Sequence, residues 1–119
     1  MAIIVKQVDD ATVASISQRL DANTAVEVQK KLFLLLDEGK HNLILDLADV
    51  DYLSSAGMRT LLLVSKRAKE LSASICLINV SPQLIEILEM TGFLPLIQVY
   101  KDLDSALDHQ KSQRQANPS

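Results

Sequence analysis

The chain has 119 residues, enough for one domain and too short for a second core of ordinary size. Hydrophobic residues at 48% and charged residues at 23% fit a packed globular protein and exclude a disordered one. Twelve Lys and Arg against fifteen Asp and Glu leave a net charge of −3, which argues against general nucleic-acid affinity, and four scattered aromatics (Phe33, Tyr52, Phe93, Tyr100) make no base-stacking platform. The single cysteine, Cys76, excludes an internal disulfide and a multi-cysteine metal site, and suits a reducing compartment. The opening residues reach a charge at Lys6, too early for a signal peptide, and no apolar run approaches the ~20 residues that cross a bilayer. The expectation is a small cytoplasmic domain without membrane insertion.

In chain order, Ala2 to Val8 and Thr12 to Ile16 read as two strands joined by the acidic turn Asp9-Asp10. Asp9-Asp10 with Asp46 share residue types with phosphate-accepting receiver domains. No helix separates Asp9-Asp10 from the next strand, so the pair reads as a polar hairpin turn. Thr24 and Glu27 form a capping-box pattern for a first helix whose Ala25, Val28, Leu32, Leu35 and Leu36 share one face, ending at Gly39. Asn42 to Leu47 is an apolar run typical of a strand buried on both faces. A second helix is expected from Ser54–Ala56 to about Leu71, burying Leu61, Leu62, Val64, Ala68 and Leu71 and turning Arg59, Lys66, Lys69 and Glu70 to water. Ser74 to Asn79 reads as a buried strand, and Ser81-Pro82 as cap and first turn of a short helix through Met90, stopped by Thr91-Gly92. Leu96 to Tyr100 reads as a short strand, and Asp102 as the cap of a last helix carrying Leu103, Ala106 and Leu107. From His109 to Ser119 the chain is polar without apolar periodicity; residues 1–110 are therefore expected as the domain and 111–119 as a flexible tail. Helices alternating with apolar strands after a hairpin predict an α/β fold, its sheet mainly parallel with an antiparallel strand at the start.

Little in this pattern supports catalysis. Gly39, Gly57 and Gly92 stand far apart, so no glycine-rich phosphate loop exists. His41 and His109 lack the local signature of a nucleophile–base pair, and Cys76 sits inside an apolar strand. The informative stretch is Asp49 to Arg59, which joins a buried strand to a helix with Ser54 and Ser55 at the helix start. Such a serine can simply cap the helix. It also stands where free amides and the positive end of the helix dipole favour a phosphate, and the small Ala56 and Gly57 beside it leave a hydroxyl accessible to an enzyme.

Ser54-Ser55-Ala56-Gly57-Met58 resembles the characteristic turn of STAS domains, and within them of the free-standing bacterial anti-sigma-factor antagonists. Leu43-Ile44-Leu45-Asp46-Leu47 is similar to the family's strand before that turn, and Arg19-Leu20-Asp21-Ala22-Asn23-Thr24-Ala25 to its loop before the first helix. The order of elements agrees over roughly residues 2 to 110. The resemblance implies a STAS fold: a mixed, mainly parallel sheet with an N-terminal hairpin strand, covered by about four helices. It implies partner switching, with no enzyme activity, cofactor or metal. The unphosphorylated protein binds an anti-sigma factor, a serine kinase of the histidine-kinase-like ATPase fold, and so frees the sigma factor. Phosphorylation on the turn ends binding, and a PP2C-type phosphatase restores it. Ala56 stands where some members carry the acceptor hydroxyl, Ser54 where many have Asp, and Gln18 where many have Gly. Ser55 is then the expected acceptor, with Ser54 as the fallback. The expected partner surface comprises Asp21, Asn23, Thr24, Ser54, Ser55, Gly57, Met58, Arg59 and Leu63, with Leu63 read as the one apolar residue on an exposed stripe with Arg59, Lys66 and Glu70. A monomer or weak dimer is expected. The alternative is a non-switching STAS scaffold, or an accessory subunit of a signalling or transport complex, in which both serines are only caps.

Overall fold

The computed structural model describes residues 3–116. Strands β1 (Ile3–Val8) and β2 (Ala11–Leu20) form an antiparallel hairpin across the two-residue turn Asp9-Asp10, where Asp9 takes the left-handed backbone conformation that such tight turns need. Helix α1 (Ala22–Asp37) leads to β3 (Asn42–Leu53), α2 (Ser55–Glu70) to β4 (Ser74–Ile78), and α3 (Pro82–Met90) through a 3-10 turn (Leu94–Leu96) to β5 (Gln98–Tyr100); α4 (Leu103–Ala116) follows. The strands lie in chain order β1-β2-β3-β4-β5, and every pair after the first is parallel. This is the expected mainly parallel α/β sheet with an antiparallel hairpin at its edge.

Because successive crossovers advance in one direction and take the same hand, α1, α2 and α3 fall on one face of the sheet. There Val28, Leu32, Leu61, Val64, Leu84 and Leu88 meet Leu43, Leu45, Leu47 and Leu77 from the strands. The alternate strand residues Val13, Ile44, Cys76 and Ile78 point the other way and pack under Ala106, Leu103 and Leu107 of α4. So β3 along its first half and β4 over its last three residues are buried on both faces, as continuous apolar runs require.

Several boundaries depart from the sequence expectation. β2 runs to Leu20 instead of Ile16, and β3 to Leu53 instead of Leu47. The two pair in parallel through their extra residues with register shifts between Ser15 and Ser17 and between Gln18 and Arg19. The bulges explain why Leu47, Val50 and Leu53 are all buried although they recur every third residue. Asp21, not Thr24, caps α1: its carboxylate accepts the amides of Asn23 (3.0 Å) and Thr24 (3.2 Å), while the Asp21 amide donates to Thr24 Oγ1 (3.0 Å). β5 is only Gln98–Tyr100, because Pro95 lies within the 3-10 turn before it. α4 continues to Ala116, past the expected limit at residue 110; near that limit Gln110 exchanges two side-chain hydrogen bonds of 2.6 Å with Asn42. Ser81 and Asp102 cap α3 and α4 as expected.

Candidate functional site

β2 and β3 end side by side, Arg19 opposite Tyr52 and Leu20 opposite Leu53, so the loops that follow them lie together. The pivot is the Leu20 carbonyl, which accepts both the Ser54 amide (3.0 Å) and the Ser54 hydroxyl (3.1 Å). Ser54 has the extended backbone of an N-cap, and its Oγ accepts the Gly57 amide at 3.1 Å. The Ser54 hydroxyl is thus committed on both its donor and acceptor sides. Ser55, one residue on, is the first residue of a sixteen-residue helix; it is exposed, and its hydroxyl has no hydrogen-bond partner among the described residues.

Gly57 explains how α2 comes so close to β2. A Cβ built there would collide with the Leu20 carbonyl oxygen and lie 2.9 Å from both Leu20 Cγ and Leu53 Cδ1. Gly57 therefore lies beneath the expected partner surface and holds the turn against the sheet; its smallness serves this contact rather than access to Ser55.

The neighbouring loop is equally fixed. The Thr24 hydroxyl donates to the Arg19 carbonyl at 2.6 Å, the Arg19 guanidinium lies 3.6 Å from Asp21 Oδ2, and the same guanidinium stacks 4.0 Å over the Tyr52 ring. The Thr24 amide, above all, holds the Asp21 carboxyl below its ordinary range; desolvation opposes this, while the Asn23 amide, the Thr24 hydroxyl and the Arg19 charge add to it.

The fold therefore brings Asp21, Asn23, Thr24, Ser54 and Ser55 together at the ends of two paired strands, with Arg59 exposed one turn along α2. Asn23 is exposed, whereas the side chains of Asp21 and Thr24 are occupied by the cap of α1. Met58 and Leu63 are half-buried on opposite shoulders of α2, about 140° apart at 100° per residue. Met58 packs on the core, while Leu63 lies on the side turned to α1, between Thr60, which meets Gln29 (3.4 Å), and Arg67, which meets Asp37 (2.9 Å). The leucine on the exposed ridge is Leu62, expected in the core but 44% exposed; Leu71, expected in the core too, is 38% exposed. The buried face of α2 is centred instead on Gly57, Thr60, Leu61, Val64, Ser65 and Ala68. Leu62 stands seven residues after Ser55, two turns along the same line, and that spacing is readable in the sequence. Val26 of α1, 56% exposed, also escaped the sequence reading.

Among the described residues no group of three or more His, Cys, Asp or Glu could hold a metal. Burial pushes the Cys76 thiol up to about 12, which keeps it a neutral, small apolar group. A cleft of about 700 Å³ lies at the opposite end of the sheet among Gln7, Asp10, His41, Asn42 and Ser74, and none of the expected site residues lines it.

The STAS domain family model matches residues 2–106. A Bacillus subtilis anti-sigma-B factor antagonist is 30% identical over 95 residues, covering 80% of this chain and 86% of the relative. BtrV of Bordetella bronchiseptica, described as a candidate anti-sigma factor antagonist, is 28% identical over 106 residues, 89% of this chain and 91% of its own. The solved structure of an anti-sigma-factor antagonist (STAS) domain protein from Planctomyces limnophilus superposes with a TM-score of 0.79 at 26% identity, covering 90% of this chain and 96% of that one. With the family match over nearly the whole chain and the sequence identity in agreement, the chain belongs to the STAS domain family, among the anti-sigma factor antagonists.

Proposed function

We propose that this protein is a phosphorylation-controlled antagonist that works by partner switching in the bacterial cytoplasm. Unphosphorylated, it docks an anti-sigma factor, a serine kinase of the histidine-kinase-like ATPase fold, through the Ser54–Ser55 turn, the Asp21–Thr24 loop and the exposed ridge of α2. Docking releases the sigma factor. The kinase transfers a phosphoryl group to Ser55, docking is lost, and a PP2C-type phosphatase reverses the modification. The protein is then substrate and switch, and performs no catalytic step itself. The STAS domain spans residues 1–110, with the end of α4 running on past it to Ala116.

The observation that carries this reading is the contrast between the two hydroxyls. Ser54 Oγ is held by Leu20 and Gly57, so phosphorylating it would break the cap of α2. Ser55 is exposed and free at the positive end of the helix dipole, where a new dianion is favourable by roughly 0.3–1 kcal/mol. Modification there leaves the domain folded, and its effect falls on the interface. A partner seated on the turn must desolvate the phosphate or meet it with its own groups, at a cost of several kcal/mol.

Incubation with the cognate kinase and ATP, followed by intact-mass measurement and phosphopeptide mapping, tests the proposal. One phosphoryl group, about 80 Da, is expected on Ser55 in the wild type and in Ser54→Ala. Label on Ser54 alone overturns the assignment. Label on neither serine supports the non-switching scaffold.

A further inference from the structure

We propose that Asp46 and Asn79 form a brace that positions the serine turn from across the sheet, making both positioning residues for the regulated site. Asp46 stands where β3 leaves regular pairing on both sides at once. It is the last residue of β3 paired to β4, opposite Ile78, and the register with β2 slips immediately after its pairing with Ser15. The next seven residues, up to Leu53, are therefore held along one edge only, by a bulged ladder to β2, and they carry Ser54 and Ser55 at their end.

The Asp46 carboxylate closes this gap. Its Oδ1 accepts the Ala48 amide (3.0 Å), which fixes the first step of the protruding segment, and also the Asn79 side-chain amide (3.1 Å) from the end of β4. Asn79 is built for the task. It sits at φ 56°, a left-handed conformation that asparagine tolerates better than most residues, and its own amide donates to the Lys101 carbonyl at 3.2 Å. One half-buried asparagine thus ties the protruding part of β3 to the loop between β5 and α4. The direction in which β3 sets off from Asp46 determines where Leu53 meets Leu20, and hence whether the Leu20 carbonyl can receive Ser54.

The regulatory meaning of this brace rests on the reading of the Ser54–Ser55 turn given above, but the brace itself is measurable in the isolated protein without any partner. Hydrogen exchange of the Ser54, Gly57 and Met58 amides, all hydrogen-bonded in the turn, reports the position directly. Asn79→Asp keeps the left-handed tolerance but sets two carboxylates against each other. It should speed exchange of those three amides by roughly tenfold while the β1–β2 hairpin and α1 keep wild-type protection. Asp46→Asn retains an acceptor and should stay near wild type. The double variant Asp46→Asn with Asn79→Asp removes the repulsion and reverses the bond between them, and should restore protection in part, since one oxygen then no longer serves both Ala48 and residue 79. Asn79→Gly, which keeps the backbone conformation without the amide, should show the same local loosening more weakly. Unchanged turn amides in Asn79→Asp, loosening spread equally over the hairpin, failure of the swapped pair to rescue, or loss of the fold in both Asn79 variants would each overturn the brace. A kinase that labels neither serine would instead strike the functional reading and leave the exchange result standing.

Discussion

Helices α2 and α3 both open on a serine, and the two starts differ in what surrounds the cap. Ser81 accepts the Leu84 amide at 3.2 Å and is followed by Pro82, which fits the first helical position because it has no amide to satisfy. Ser54 accepts the Gly57 amide at nearly the same distance, but it also donates to β2, sits above a glycine pressed into the sheet, and is followed by an exposed serine. The same capping chemistry therefore yields an ordinary helix start in one place and a presented hydroxyl in the other. A serine at a helix start becomes a candidate site only when a second residue takes over the cap and leaves its neighbour free.

That contrast can be broken most forcefully at Gly57. Gly57→Ala forces the Leu20 backbone away and should cost about 3 kcal/mol, at the upper end of overpacking effects. Gly39→Ala is the control: its Cβ meets nothing within 4 Å, and only its φ of +89° is unfavourable, about 1 kcal/mol. Equal losses in urea melts would mean that the close approach of α2 to β2 is not what the glycine serves.

Next in size is an effect on docking. Leu62→Asp places a charge on the exposed ridge two turns from Ser55 and should weaken the anti-sigma-factor complex about tenfold or more, with the melting temperature unchanged. Leu63→Asp should instead destabilise the fold, because Leu63 is half-buried towards α1. The reverse pattern, measured by titration calorimetry and thermal melts, would return the partner surface to the stripe read from sequence.

Why the sequence missed this pair of leucines is physical. The buried face of α2 is marked by Gly57, Thr60 and Ser65, which hydrophobicity does not register; Ser65 is satisfied by its hydrogen bond to the Leu61 carbonyl at 2.8 Å. Periodicity was enough for α1, α3, the first half of β3 and the apolar run of β4, where the apolar residues alone set the pattern. It failed for the second half of β3, because the bulges break the two-residue period and Asp49 and Asp51 look like a turn while standing exposed on a strand. The serine turn was visible as a motif. The commitment of Ser54 was not, since it depends on a carbonyl thirty-four residues away.

The caps themselves allow a finer comparison. Ser54→Ala loses both the Gly57 and Leu20 bonds and should cost about 2 kcal/mol, whereas Ser81→Ala should cost about 1 kcal/mol. Equal costs in denaturant melts would remove the distinction between the two starts.

The smallest effect expected is on pH. The folded state holds the Asp21 carboxyl below its ordinary value of 3.8, so the unfolded chain binds its proton first. The stability contributed by Asp21 is complete above 3.8 and is lost as pH falls through and below that value. Asp21→Asn should therefore show a shallower loss of stability in this acid range than the wild type. Parallel curves would mean that the α1 cap does not depend on the Asp21 charge.

The central claim is that Ser55 controls docking from a turn that Ser54 keeps folded. The direct test compares, by calorimetry, the affinity of the anti-sigma factor for the unmodified protein and for protein carrying phosphoserine at position 55, alongside thermal melts of both. The account predicts a loss of about a hundredfold or more in affinity, with a melting temperature that is unchanged or raised. Equal affinity in the two forms, or a loss of affinity that comes only with unfolding, would contradict it.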